Sequence, residues 1–186
     1  MKKIIILFLA AILLLGCSNA TEHVDRAISL RSALQNGNGC SFDAKITADY
    51  GQETYIFAMG CSFDAHGNLS FTVLEPERIA GICGTIDGDG GKLRFDDVVL
   101  AFPLLADGHA NPVSAPWHFY KTMAGGMIRF AGTEGDLFHV TIYDSYEDDA
   151  LQFDIWLDQS NQPIRAELLY ENRRIITLLI ENFRIL

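Results

Sequence analysis

The sequence predicts an α+β domain: an antiparallel sheet with one helix at its N-terminal end and a second helix in mid-chain, both packed on the sheet. Three observations predict it. A helical period over residues 21–36 gives way at residue 40 to apolar residues at every second position. A second helix interrupts the alternation near residues 114–126, after which it resumes to the end of the chain. The breaks within each alternating run are short and rich in glycine and asparagine, so neighbouring strands must run antiparallel. Helix, antiparallel run, helix, antiparallel run is an α+β layer order.

The chain opens with an export signal. Lys2 and Lys3 precede twelve apolar residues, Ile4 to Leu15, and the run closes on Leu14-Leu15-Gly16-Cys17. A charged start before a short apolar stretch marks secretion, because a membrane span needs roughly 18 or more apolar residues. A cysteine behind Leu-Leu-Gly resembles the lipidated first residue of mature bacterial lipoproteins, a lipobox. Residues 1–16 are therefore read as a signal peptide, 17–20 as a lipidated tether and 21–186 as one globular domain. The resemblance implies palmitate-type acyl chains at Cys17, which would hold the protein on the extracytoplasmic face of the cell membrane. Two chains anchor stably where one does not.

Removing residues 1–16 takes away two lysines and no acid, which moves the formal charge from −10 to −12 over the 170 residues that remain. That length suits a single domain with a core of its own. The charge argues against nucleic acid or anionic lipid headgroups as partners.

In the first helix Thr21 is an N-cap candidate, and Val24, Ala27, Ile28, Leu30 and Leu34 fall on one broad face. The run Asn36-Gly37-Asn38-Gly39 stops it. In the first hairpin Cys40, Phe42, Ala44, Ile46 and Ala48 alternate with polar residues, and Tyr55, Phe57, Met59, Cys61 and Phe63 share a face of the next strand. A turn centred on Tyr50-Gly51 would pair position 49 with 52, and so 42 with 59, 44 with 57, 46 with 55 and Cys40 with Cys61. The two cysteines are then either a disulfide, which an exported protein can keep, or two small buried hydrophobes. Cys83 is left over.

A third strand is predicted over 69–74, a turn over 75–81, and two short strands near 82–86 and 92–95. Residues 100–113 mix apolar residues with breakers and read as a buried, irregular connection. The second helix starts near Ser114, carries Ala115-Pro116 in its first turn, ends at Gly125-Gly126 and presents Trp117, Phe119, Tyr120 and Met123. Strands follow near 127–132, 137–143, 150–157, 163–170 and 174–185. A turn at Glu171-Asn172 would match Ile164, Ala166 and Leu168 with Leu179, Thr177 and Ile175. The last strand is apolar on both faces, which predicts cover on both sides.

The segments Phe42-Asp43-Ala44-Lys45-Ile46, Phe71-Thr72-Val73-Leu74-Glu75-Pro76 with Ile79-Ala80-Gly81-Ile82, and Ile180-Glu181-Asn182-Phe183 resemble the LolA/LolB lipoprotein-carrier superfamily over most of residues 40–186. The chain also resembles lipoproteins of anaerobic Gram-positive bacteria. The LolA-like resemblance implies a strongly curved sheet, an incomplete β-barrel, that encloses an apolar site.

Chemistry is sparse. His23, His66, His109, His118 and His139 lack metal-ligand spacing, and no nucleophile motif is present. No enzyme activity, cofactor or metal is predicted. The acidic stretch Asp144, Glu147, Asp148 and Asp149 reads as a solvated hairpin loop before a cation site. The leading reading is a membrane-tethered module that binds an acyl chain, a lipid, another amphipathic molecule or a lipoprotein segment. Its candidate lining is Phe42, Ile46, Phe57, Met59, Trp117, Tyr120, Phe153 and Ile155, whose plainer role is a filled core. The alternative is an envelope protein-interaction or assembly subunit that uses exposed strand edges or its acidic face. A further alternative is a glycan-binding platform of Tyr143, Tyr146 and Trp156.

Overall fold

A computed structural model describes residues 18–95, 98–106, 109–147 and 150–186. Cys17 lies outside them. Helix α1 spans Ser18–Asn36 and so includes residues ahead of the start predicted at residue 21. Its buried stripe is narrower than the period suggests. Ala27 and Leu34 are buried and Leu30 packs on the core, while Val24 and Ile28 stay 40% and 47% exposed. Arginines on the flanks take over the docking. Arg26 donates to Asn161 Oδ1 and Asp158 O, each at 2.9 Å, and Arg31 donates to Met123 O and Gly126 O at 3.1 and 2.6 Å. The chain leaves the helix through Gly39, at φ +119°, where a Cβ would stand 1.9 Å from the Phe63 carbonyl oxygen.

The N-terminal meander is β1 (Cys40–Asp49), β2 (Thr54–Phe63), β3 (Leu69–Glu75), a 3-10 turn at Glu77–Ile79, β4 (Cys83–Asp87), β5 (Gly90–Phe95) and β6 (Val98–Phe102). Two short strands, β7 (Leu105–Ala106) and β8 (His109–Ala110), pair with each other before helix α2 (Ala115–Gly125). The C-terminal meander is β9 (Met127–Glu134), β10 (Leu137–Tyr143), β11 (Gln152–Leu157), β12 (Pro163–Tyr170) and β13 (Arg173–Ile185). Both meanders join through β1 and β13 into one antiparallel sheet of eleven strands, ordered β6-β5-β4-β3-β2-β1-β13-β12-β11-β10-β9. The sheet is open, with β6 and β9 as its edges. Among the described residues no helix is long and apolar enough to cross a membrane.

Neighbouring residues of α2 show that the sheet curls. Tyr120 stacks on Phe63 of β2 at 4.3 Å, and Phe119 meets Phe153 of β11 at 6.4 Å. In a flat sheet those strands would lie four spacings apart, about 19 Å. The strands therefore wrap around α2, as an incomplete barrel does. Phe42 sits at the centre of the core, with its ring against Phe63, Phe119 and Phe183 at 5.7–5.8 Å.

Several predicted features are corrected. The first hairpin pairs Asp49 with Thr54, so Cys40 faces Phe63, Phe42 faces Cys61, Ala44 faces Met59 and Ile46 faces Phe57. The loop is longer than a two-residue turn because Tyr50 N–H bonds to Glu53 O and the Asp49 carboxylate caps Gly51 N–H. In the last hairpin Tyr170 pairs with Arg173 and Leu169 with Arg174 in the predicted register. A bulge at Ile175 then shifts Leu168 onto Ile176 and Ala166 onto Leu178. Both helices lie on the inner face, so β13 is not covered twice: Ile176, Leu178 and Ile180 are buried and Leu179 is 47% exposed. Residues 98–102 form an exposed edge strand in place of a buried connection.

Candidate functional site

The inner face is filled. Phe42, Ile46, Met59, Phe153 and Ile155 are at most 2% exposed, and Tyr120 is 6% exposed. They form packed core, the plainer of the two roles read for them in the sequence. The physical reason is α2: its Phe119, Tyr120 and Met123 insert between the two meanders and occupy the space an acyl chain would need. A void bordered by Leu30, Met123, Val140 and Ile155 measures about 10 Å³, room for about one water and far too little for an acyl chain. Trp117 is half-buried, edge-on to His118 at 5.2 Å with Lys121 over its ring. Trp117 Nε1 and His118 Nε2 are buried without a hydrogen-bond partner among the described residues. Burial pulls the His118 imidazole below its ordinary pKa, against the Leu104 backbone and Asp144, which act the other way.

Phe57 is the exception among the eight, because it borders an open cleft. The cleft lies at the end of the half-barrel where the β1–β2 turn, the β8–α2 connection and the β12–β13 turn converge, and its volume is about 880 Å³. Tyr50, Tyr55, Phe57 and Tyr170 bring aromatic rings to it, and Val113 and Ile175 bring aliphatic groups. Tyr50 is fixed by its hydroxyl, which donates to Ala110 O at 2.9 Å, and its ring meets that of Tyr55 at 6.3 Å. The Tyr55 hydroxyl donates to Glu53, which holds that phenol above its ordinary pKa. Arg173 and Glu171 stand in the lining, and the Arg173 guanidinium lies against Gly51, which has φ +89°. The sequence singled out Phe57 alone. The bulge that delivers Ile175 and the loop that delivers Tyr50 leave no mark in an alternation pattern.

On the outer face of β9–β13 the polar side chains bind one another. Trp156 stacks on His139 at 4.8 Å, carries Arg165 on its ring at 4.9 Å, and donates from Nε1 to Glu134 Oε2 at 2.7 Å. Asp154 accepts from Thr141 at 2.6 Å and from Gln152 at 3.0 Å, and Gln152 accepts from Tyr143. Glu167, 9% exposed, accepts from Arg165 and from Arg174. The glycan platform is therefore corrected: the faces of Trp156 are occupied, Arg129 lies over Tyr143, and Tyr146 stands apart at 84% exposure. Cys40 and Cys61 are free, buried and diagonal to each other across the β1–β2 ladder, and Cys83 is free and half-buried. Burial pushes the Cys40 thiol up to about 12 and the Cys61 thiol well above its usual range. Among the described residues no group of three or more His, Cys, Asp or Glu could hold a metal ion; Asp148 and Asp149 lie outside them.

Solved structures resemble this arrangement. A LolA superfamily protein from Nitrosomonas europaea is 11% identical, with 91% of this chain and 94% of that one covered, at a TM-score of 0.47. The chain is similar to it in fold. The Mycobacterium tuberculosis lipoprotein LppX is 10% identical over 87% of this chain and 93% of that one, at a TM-score of 0.42. A chain of the Clostridioides difficile complex of the CwlD amidase with the GerS lipoprotein is 12% identical over 86% and 93%, also at 0.42. No family model and no curated protein matches the chain. At these identities no ligand contact carries over.

Proposed function

We propose that the protein is a non-enzymatic binding protein of the cell envelope, tethered through acyl chains at Cys17, that holds a hydrophobic or amphipathic ligand in the aromatic cleft at the mouth of the half-barrel. The observation that carries this reading is the contrast between a filled centre and an open, ring-lined cleft of about 880 Å³, a size that suits a small ligand. Tyr50, Tyr55, Phe57 and Ile175 offer apolar surface to a tail, and Arg173 offers a positive charge to a head group. The ligand enters the mouth and stops at the packed core.

Native mass spectrometry of residues 18–186, purified without detergent and titrated with palmitate and with lysophosphatidylcholine, tests it. One ligand per chain is expected, and it should be lost in Phe57→Asp and in Tyr55→Asp while the circular dichroism spectrum is kept. Binding of neither probe, or a complex untouched by both substitutions, refutes the reading.

A second reading has an observation of its own. Val98, Val99 and Leu100 on edge strand β6 are 56–61% exposed, as is Phe95 beside them at 56%, and an unpaired apolar edge invites a strand from a protein partner. A photo-crosslinker at Leu100 that captures one envelope protein in cells, and loses it in Val99→Pro, would favour this reading. Failure to capture any protein would remove it.

A further inference from the structure

The outer face of the N-terminal meander holds a second recess of about 920 Å³, on the side of the sheet away from the helices. Strand register builds it from two rows that run across the strands. One row reads Arg184, Ser41, Ser62, Ser70, Thr85, Lys92 from β13 to β5. The next reads Asp43, Gly60, Thr72, Cys83, Arg94 from β1 to β5. Five strand spacings separate Arg184 from Lys92, about 24 Å. Small side chains form the floor and cations stand at both ends, so the recess is an elongated trough.

Its hydroxyls and cations are unspent. Among the described residues the hydroxyls of Ser41, Ser62, Ser70, Thr72 and Thr85 make no side-chain hydrogen bond, and Lys92, Arg94 and Arg184 make no ion pair. Asp43 is the carboxylate of the lining. Asn182 donates to its Oδ2 at 2.7 Å, and Glu181 stands opposite it on β13. At Gly60 a Cβ would meet only Asp43 Oδ1 at 3.5 Å and Leu74 at 3.9 Å, both ordinary contacts. A side chain would therefore fit there, and its absence keeps the floor low.

These features select a ligand class. The rings that border the trough, Phe42 and Phe71, are 2% and 3% exposed, so it offers no stacking surface to a base, and its exposed apolar side chain is Val99, at the β6 rim beside Arg94. A line of free hydroxyls matches hydroxyl groups on the ligand, and three cations match negative charges. The acidity of the whole chain makes that local excess of cations more telling. We propose that the trough binds an anionic, hydroxyl-rich envelope polymer laid across strands β13 to β5: an acidic glycan or a polyol phosphate. The site is on the opposite side of the sheet from the core and separate from the aromatic cleft, so the two functions stand or fall independently.

The test uses the full lipidated chain in phosphatidylcholine nanodiscs. Its affinity is measured by microscale thermophoresis for polygalacturonate, for delipidated poly(glycerol phosphate), and for dextran as a neutral polymer. At least one anionic polymer should bind, with dextran about tenfold weaker or worse. Binding of polygalacturonate alone assigns carboxylate recognition, binding of poly(glycerol phosphate) alone assigns phosphate, and binding of both assigns charge irrespective of group. Arg94→Glu and Arg184→Glu should each weaken binding by about tenfold or more, with Arg94→Lys retaining most of it. Gly60→Val, which changes no charge and stays compatible with a strand, should abolish polymer binding and leave palmitate binding intact. Binding of neither anionic polymer, equal binding of dextran, or full binding in Gly60→Val overturns the proposal.

Discussion

On β9–β13 the outer face of the sheet is stitched together: Trp156 lies between His139 and Arg165, and Glu167 is shared by Arg165 and Arg174. On β1–β5 the same face carries a row of hydroxyls between cations that have no ion-pair partner among the described residues. Both halves rest on one core and belong to one sheet, so packing does not set them apart. The difference is where the polar groups spend their hydrogen bonds. A face that satisfies itself stiffens the fold. A face that does not remains available to something else.

The widest expected gap between exposed and enclosed groups is chemical. Iodoacetamide at pH 8 should label Cys83, on the trough floor, and leave Cys40 and Cys61 unlabelled, because burial holds Cys40 near a pKa of about 12 and Cys61 well above its ordinary value. Peptide mapping of the native protein should find Cys83 alkylated and Cys40 and Cys61 intact, and unfolding should expose those two thiols as well. Comparable native labelling of Cys40 would break the assignment of the inner face as sealed. Next in size, Phe42→Ala should cost about 3–5 kcal/mol in urea unfolding, and hydrogen exchange should rise in both meanders together. A rise confined to β1–β5 would mean that the halves are separate units.

A smaller effect separates the two outer faces directly. Glu167→Ala leaves Arg165 and Arg174 without their acceptor and should cost about 1–3 kcal/mol. Thr85→Ala in the trough should stay within about 0.5 kcal/mol. Equal costs would erase the distinction. The subtlest prediction concerns pH. The folded-state pKa of His118 is lowered, so the unfolded chain binds the proton more readily, and stability falls as pH drops from about 6.5 through the folded value. Melting temperatures measured between pH 7.5 and 5 should show that loss in the wild type and a shallower one in His118→Phe.

Much of this architecture is legible in the sequence. Strands 69–74, 137–143 and 163–170 and the second helix fall where alternation and glycine breaks put them. Register was harder for a physical reason: sliding Tyr55 to Phe63 by two residues keeps every apolar side chain on its face, so alternation cannot tell Cys40 opposite Cys61 from Cys40 opposite Phe63. Only the Asp49 cap and the Tyr50–Glu53 bond decide it. Bulges escape in the same way. The one at Ile175 borders the cleft, and the one near Asn182 turns Phe183 inward onto Phe42 while Asn182 reaches Asp43. The trough was invisible because its rows are assembled from six strands between Ser41 and Arg184, and each contributes one unremarkable serine, threonine or cation.

Helix α1 gives the tether proposal a mechanical meaning. It is helical from the first described residue, Ser18, and is gripped at His23, whose ring meets Phe138 at 5.8 Å, with Arg26 over the same ring. About 8 Å of helix separates Ser18 from His23. With acyl chains at Cys17 the domain would not drift like a buoy on a line. It would stand like a signpost on a short stiff post, with the tilt of its cleft and its trough toward the bilayer set by the direction of a helix and not by the length of a linker.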